Sequence, residues 1–304
     1  MAPQPDAADE GRHAPGPEPL WNESWYFDAV SASGDLGVYA RLGRLPNQGV
    51  ALLTVCVTGP GRPSVMLARE VPLPDADDDT QAVTVDGARY RQSCEEPLRR
   101  WRLSVDGIGE AHADHAAPLH GGTGVPTAVA LELEWTTDGT PYRWRHGNRY
   151  EVPCRVAGTV RVGEEQLTLA GVGQRDHSWG ARDWWAVEWM WSALHLDDGT
   201  HLHAVGIPGV PQYSVGYVQR DGLVHELSTV VAQDEVAPDG LIVRCAVALA
   251  PDAPDLAVEP LAFGCVRLDA PDGRVSWFPR ALCRVRTDDG RTGLGWLEWN
   301  RLQR

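Results

Sequence analysis

With 304 residues and a formal net charge of −15, the chain can build one large or two ordinary cored domains. Its acidic balance argues against a phosphate backbone or an anionic bilayer as partner, so neither nucleic acid nor membrane binding is expected. No run approaches the ~20 apolar residues of a membrane span, which excludes an integral membrane segment of that kind.

Residues 1–20 are rich in Pro, Ala, Asp and Glu, with no basic n-region and no apolar h-region. They read as a disordered tail and not as a signal peptide. From Trp21 onward the chain reads as strands and turns. Eight Asp-Gly pairs recur, at Asp86, Asp106, Asp138, Asp198, Asp221, Asp239, Asp272 and Asp289. Asp-Gly supplies the positive φ of tight hairpins, so the series predicts a mainly β, antiparallel meander. Ala51 to Val57 is almost wholly apolar and predicts a strand covered on both faces. Leu73 to Thr80, with Asp75, Asp77, Asp78 and Asp79, is an acidic solvated loop; it lacks the Gly and terminal Glu of a helix-loop-helix calcium site. Ala111 to Pro126, rich in His, Gly and Pro, is expected to loop over one end of a barrel.

Val129 to Trp135 and Tyr150 to Val162 alternate apolar and charged residues, the period of strands with one buried face. The turn at Gly163 to Glu165 suggests a boundary, giving domains over 21–165 and 166–304. The six cysteines stand singly with no CxxC pair, which indicates neither a zinc site nor a disulfide framework and suits a reducing, cytoplasmic compartment.

Charged, titratable and aromatic residues crowd together between Gly171 and Trp191, where five of the thirteen tryptophans lie. In an extended backbone Arg175, His177 and Trp179 face one way, and Asp176 and Ser178 the other. Adjacency therefore rules out a nucleophilic triad of Asp176, His177 and Ser178. With no helix behind it, Gly171-x-Gly173 is not a dinucleotide fingerprint. Read with a two-residue turn at Asp198-Gly199, His195 pairs with Leu202 and faces away from His201 and His203, so no three-histidine metal site forms. Indole walls exclude water and offer π faces to a cation, and a desolvated carboxyl among them has its pKa raised. That combination suits protonation of an alkene, with Asp176, Asp183 and Glu188 as candidate acids and His177 as base or relay. The structural alternative pairs Arg175 and Arg182 with Asp176 and Asp183 in two buried ion pairs, leaving the tryptophans as core.

The string Gly171-x-Gly173-x-Arg175-Asp176-His177-Ser178-Trp179-Gly180-x-Arg182 resembles the signature of the hydroxyneurosporene synthase group, which includes carotenoid 1,2-hydratases and AttH-like proteins. Trp21 to Phe27, Glu96 to Trp101 and Gly293 to Glu298 extend the resemblance over most of residues 21–300. It implies two lipocalin-like antiparallel β-barrel or sandwich domains packed side by side, with an apolar ligand cavity in or between them. It also implies cofactor-free hydration of an isoprenoid double bond or, as in fungal relatives, pericyclic cyclisation. On that basis Asp176 and His177 are the expected catalytic pair, Asp176 as the acid. Trp179, Trp184, Trp185, Trp189, Trp191, Arg175, Glu188, Tyr26 and Trp25 are the expected substrate-binding set, with Glu298 a weaker candidate. The expected substrate is an apolar isoprenoid or polyene, with no metal and no cofactor. A cyclase, or a lipocalin-like carrier without chemistry, is the alternative.

Overall fold

The computed structural model describes residues 4–73 and 80–303; the acidic stretch at 74–79 lies outside them. Eleven strands form the first sheet: β1 (Trp21–Ser31), β2 (Gly37–Leu45), β3 (Val50–Thr58), β4 (Ser64–Pro72), β5 (Thr80–Val85), β6 (Ala88–Glu96), β7 (Arg100–His112), β8 (Val125–Thr137), β9 (Tyr142–Arg143), β10 (Asn148–Val162) and β11 (Glu165–Ala181). Nine form the second: β12 (Trp189–Leu196), β13 (His201–Gly206), β14 (Val215–Arg220), β15 (Leu223–Glu226), β16 (Thr229–Val236), β17 (Ile242–Ala250), β18 (Leu256–Asp269), β19 (Val275–Thr287) and β20 (Thr292–Gln303). Every pairing is antiparallel. The two curled sheets are the mainly β, lipocalin-like pair that the alternation and the resemblance lead one to expect.

The first sheet runs β4-β3-β2-β1-β11-β10-β8-β7-β6-β5 and closes on itself where β4 pairs with β7. The second runs β15-β14-β13-β12-β20-β19-β18-β17-β16. Six of the Asp-Gly pairs turn hairpins, with their glycines at φ between +74° and +92°. Asp106-Gly107 instead lies inside β7, where the glycine leaves room for Leu67 and Ala88 to cross close by. Among the described residues no helix is long and apolar enough to cross a membrane. All six cysteines are free thiols.

The boundary expected near residue 165 falls inside a hairpin. Strands β10 and β11 pair continuously from Asn148↔Trp179 to Val162↔Glu165, so both belong to the first sheet. The chain changes sheets across residues 182–188. A hairpin turn and a linker carry the same Gly and Glu signals, and the alternation on either side is identical, so sequence cannot tell them apart. The stretch from Ala111 to Pro126 is likewise more than a loop over one end. Its 3₁₀ turn at Ala117–His120 buries Leu119 in the second core, and His115 accepts from the Phe263 N–H at 3.1 Å.

Residues 4–20 are a folded segment, against the expectation of a disordered tail. Asp6 caps a 3₁₀ turn at Ala7–Glu10, which drives Glu10 into the first barrel. There Arg175 grips the carboxylate bidentately at 2.6 and 3.1 Å. The Tyr150 hydroxyl, the Leu98 N–H and the Trp101 indole N–H donate to it as well. Burial pushes the Glu10 carboxyl up, but Arg175, Tyr150 and Leu98 outweigh it and hold it below the ordinary carboxylate range. Composition hid this, because one buried acid docks a segment that is otherwise polar.

The cores are aromatic. Trp25, Trp101 and Trp135 fill the first barrel, Trp299 the second, and Trp296 the seam between them, all at or below 2% exposure. Each such indole removes roughly 150–250 Å² from water, worth on the order of 4–6 kcal/mol before ordering costs. At the seam the Tyr39 hydroxyl donates to Gly264 O and the Trp296 indole to Ala29 O, both at 3.1 Å. A Cβ at Gly264 would collide with Cys56 and Tyr39, so this glycine sets how closely the barrels approach.

Two stability predictions follow from these contacts. Glu10→Ala leaves the Arg175 charge buried and alone, and should lower the free energy of urea unfolding near pH 7 by about 3–5 kcal/mol. Because the folded carboxyl is depressed, its contribution is complete above the ordinary glutamate value of about 4.3 and fades as pH falls through the lower folded value. A loss under about 1 kcal/mol would mean the segment does not support the fold. Gly264→Val overpacks the seam and should cost about 1–3 kcal/mol, read as a lowered thermal midpoint.

Candidate active site

Over residues 173–178 strand β11 is buried on both faces, and the period of two assigns its motif residues to different compartments. Odd positions enter the first barrel. Arg175 holds Glu10 there, and His177 donates through Nδ1 to Asp9 O (2.7 Å) while its Nε2 lies 3.1 Å from Glu23. Trp25 stacks on His177 at 4.3 Å, and Trp179 stacks on His13 at 3.6 Å. Even positions face the second sheet, where Asp176 reaches a cavity of about 700 Å³.

That cavity lies between the barrels. The outer faces of β1, β2 and β3 contribute Ser24, Tyr26, Arg41, Leu52 and Thr54. The second sheet contributes Trp189, Trp191, Val205, Val266, Leu268, Phe278, Arg280 and Glu298, and the linker contributes Arg182 and Trp184. Strand β3 is thus covered on both faces as expected, one by the core and the other by the cavity wall.

Asp176 is only 4% exposed and accepts from Arg149 at 2.6 Å. Burial lifts its carboxyl to about 6, against the pull of Arg149, Arg182 and Arg41 and with some help from Glu151. Behind it stands a polar network. Glu151 accepts from Arg149 at 2.6 Å, from Gln174 at 2.8 Å, and from the indoles of Trp144 and Trp191 at 3.1 and 3.3 Å. Gln174 accepts from the Tyr217 hydroxyl. His203 donates through Nδ1 to Ser192 O, and burial pushes it down to about 3, so it stays neutral. The Tyr26 hydroxyl is buried beside the Asp28 carboxyl, which it helps to stabilise by hydrogen bonding.

The structure therefore brings Asp176, Tyr26, Trp184, Trp189 and Trp191 to one cavity. Glu298 joins them, paired with Arg280. It does not bring His177, Arg175, Trp25 or Trp179 there, because strand parity turns them into the first barrel. Trp185 packs beside Trp184 with its indole donating to Leu268 O, and Glu188 caps the Leu302 N–H; neither lines the cavity. The two ion pairs drawn from adjacency also fail. Arg175 pairs with Glu10, Asp176 with Arg149, and Asp183 with Arg274, since sequence neighbours on a strand point apart. Arg149, Glu151, Arg41 and Arg280 went unrecognised. Their signal was present: Arg149 and Glu151 form the charged face of an alternating strand, which reads as solvent-exposed unless a second sheet covers it.

The histidine register also differs. The turn spans three residues, 197–199, with the Leu196 N–H donating to Thr200 O, so His195 lies opposite His201 and their Nδ1 atoms meet at 2.9 Å. Elsewhere His13, Glu23 and His177 gather ligand-type atoms within 4.8 Å of one another, a geometry able to hold a metal. The Glu23 carboxylate there is already satisfied by His13, His177 and Arg44, and burial notwithstanding, these partners hold it down at about 2.

Known structures share this architecture. A protein from Nitrosomonas europaea described as AttH superposes with a TM-score of 0.63 at 18% identity, covering 96% of this chain and 94% of that one. Kievitone hydratase from Nectria haematococca gives 0.59 at 12% identity, over 98% and 93%. CghA with Sch210972 bound gives 0.58 at 11% identity, over 96% and 94%. At such identities the likeness is one of fold. No curated protein sequence matches. A family model described as a domain of unknown function, DUF7064, matches residues 6–303, and the chain belongs to that family.

Proposed function

We propose that this protein is a cofactor-independent enzyme that adds water across a double bond of an apolar small molecule, an isoprenoid or polyene, in the cavity between its barrels. The observation that carries this reading is the Asp176 carboxyl, lifted to about 6 on a wall shared with Trp184, Trp189 and Trp191. The proton of Asp176 passes to one alkene carbon, and the cation at the other is faced by indole π surfaces. Water adds to that carbon and returns a proton to the carboxylate. The net change is one water gained. His177, on the far side of β11, is left to hold the N-terminal segment, and Arg149 with Glu151 takes over the positioning of Asp176.

Kievitone hydratase shares the fold and the central motif resembles that of carotenoid 1,2-hydratases, which supports hydration as the reaction class. Tyr26 lines the same cavity, and a hydroxyl positioned to orient a polar substrate group supports cyclisation of a polyene as the second reading. Free thiols throughout support a reducing, cytoplasmic location.

The test is incubation with linear isoprenoids and polyenes in oxygen-18 water, followed by mass spectrometry. One labelled oxygen in the product, lost by at least about a hundredfold in Asp176→Asn, is the expected result. An unlabelled isomer that survives the substitution would replace hydration with cyclisation. A ligand retained unchanged would leave only carriage. Since the reactive form is the protonated acid, kcat/KM should fall about tenfold per unit as pH rises above about 6. A flat profile through that range would remove Asp176 as the acid.

A further inference from the structure

The cavity holds more positive charge than its proposed reaction uses. Arg41 and Arg182 both line it and are half-buried. Among the described residues neither has a carboxylate within ion-pair reach. The nearby acids are committed elsewhere: Asp176 and Glu151 to Arg149, Glu298 to Arg280, and Asp183 to Arg274. Glu70 stands exposed at the rim. Burial, with Arg149 and Arg41 nearby, pushes Arg182 down to about 9, and burial with Arg280 pushes Arg41 to about 10, so both remain cationic near pH 7.

Arg41 is held in place. It lies over the ring of Trp184 at 5.2 Å, and its guanidinium rests against the backbone at Gly43 on the same strand. A half-buried guanidinium without a counter-ion is costly, and a planar fork of donors aimed into an indole-walled cavity matches a carboxylate. Three guanidiniums, those of Arg41, Arg149 and Arg182, surround two carboxylates, those of Asp176 and Glu151. One negative charge is missing.

We infer that the cavity takes an amphipathic acid: an apolar chain or ring system bearing a single carboxylate, bound by Arg41 and Arg182 beside Asp176. The inference deepens the hydratase reading and rests on it for the reacting acid. It also removes a difficulty, since two free cations would oppose a carbocation in the same space. Once the substrate's own anion neutralises them, they cease to draw the proton from Asp176, and the acid is kept in its neutral, protonated form by the molecule it is to protonate.

Binding can be read without turnover, from quenching of tryptophan fluorescence by dodecanoate, dodecanol and dodecyl phosphate at low salt near pH 7. Dodecanoate should bind about ten- to a hundredfold more tightly than dodecanol. The R41Q/R182Q pair of substitutions should abolish that advantage while leaving dodecanol within about threefold, and added salt should erode it. Removing unpaired charge should also leave the thermal midpoint unchanged or raised; if the double variant folds poorly, either single variant should lose part of the preference. Equal binding of acid and alcohol, or a preference that survives in the variants, overturns the inference. Preference for dodecyl phosphate by more than about tenfold overturns the single-charge class in favour of a dianion. A preference for the acid with no product from any substrate leaves this inference standing and removes the enzymatic reading. Turnover of neutral isoprenoids without acid preference does the reverse.

Discussion

Everything in this molecule turns on the motif segment of β11, residues 173–178, having no solvent face. A strand at the surface presents one side to water and can afford to be polar there. Here the first barrel lies on one side and the second sheet on the other, so both rows of side chains are desolvated. Each charge in the motif must therefore find a partner across a strand or in another segment. Arg175 obtains Glu10 from the N-terminal segment, and Asp176 obtains Arg149 from β10. The same demand fixes the register of β1 and β10 against β11. A slip of one residue would exchange the two compartments and part Arg175 from Glu10 and Asp176 from Arg149.

That constraint also explains how much was legible beforehand. Asp-Gly turns and period-two patterns report local backbone preferences, and the mainly β, two-barrel architecture followed from them and from the motif. Parity was legible as well: the division of Arg175, His177 and Trp179 from Asp176 holds in the structure. What sequence could not supply was the identity of the body on each side. Without it, all the motif residues were assigned to one pocket, and the charged face of β10 was taken for surface. The N-terminal segment escaped for a related reason, since its docking depends on Glu10, His13 and Asp9 meeting partners that are distant in sequence.

The electrostatics of the two compartments are opposite in kind. In the first barrel, charges close on themselves: Glu10 and Glu23 are each surrounded by donors and held below the ordinary range. In the cavity the arrangement is left open. Asp176 is raised, and among the described residues Arg41 and Arg182 have no carboxylate within ion-pair reach. Unmet polar groups at the wall of a cavity cost stability, and a fold retains them where a ligand completes the set. The contrast separates the histidine of the motif, bound into the first barrel, from the aspartate proposed as the acid, although the two are adjacent in sequence.

Placing the cavity between barrels instead of inside one has a consequence for how such proteins diversify. The strands that bound it carry folding information on their inner residues and recognition on their outer ones. Leu53 and Val55 serve the first core, while Leu52 and Thr54 on the same strand serve the wall. Selection can then rewrite the outer row almost independently of the inner row. Two separate cores keep the scaffold intact while the shape and polarity of the space between them drift. A single architecture can thereby persist at very low sequence identity among proteins whose ligands have little in common.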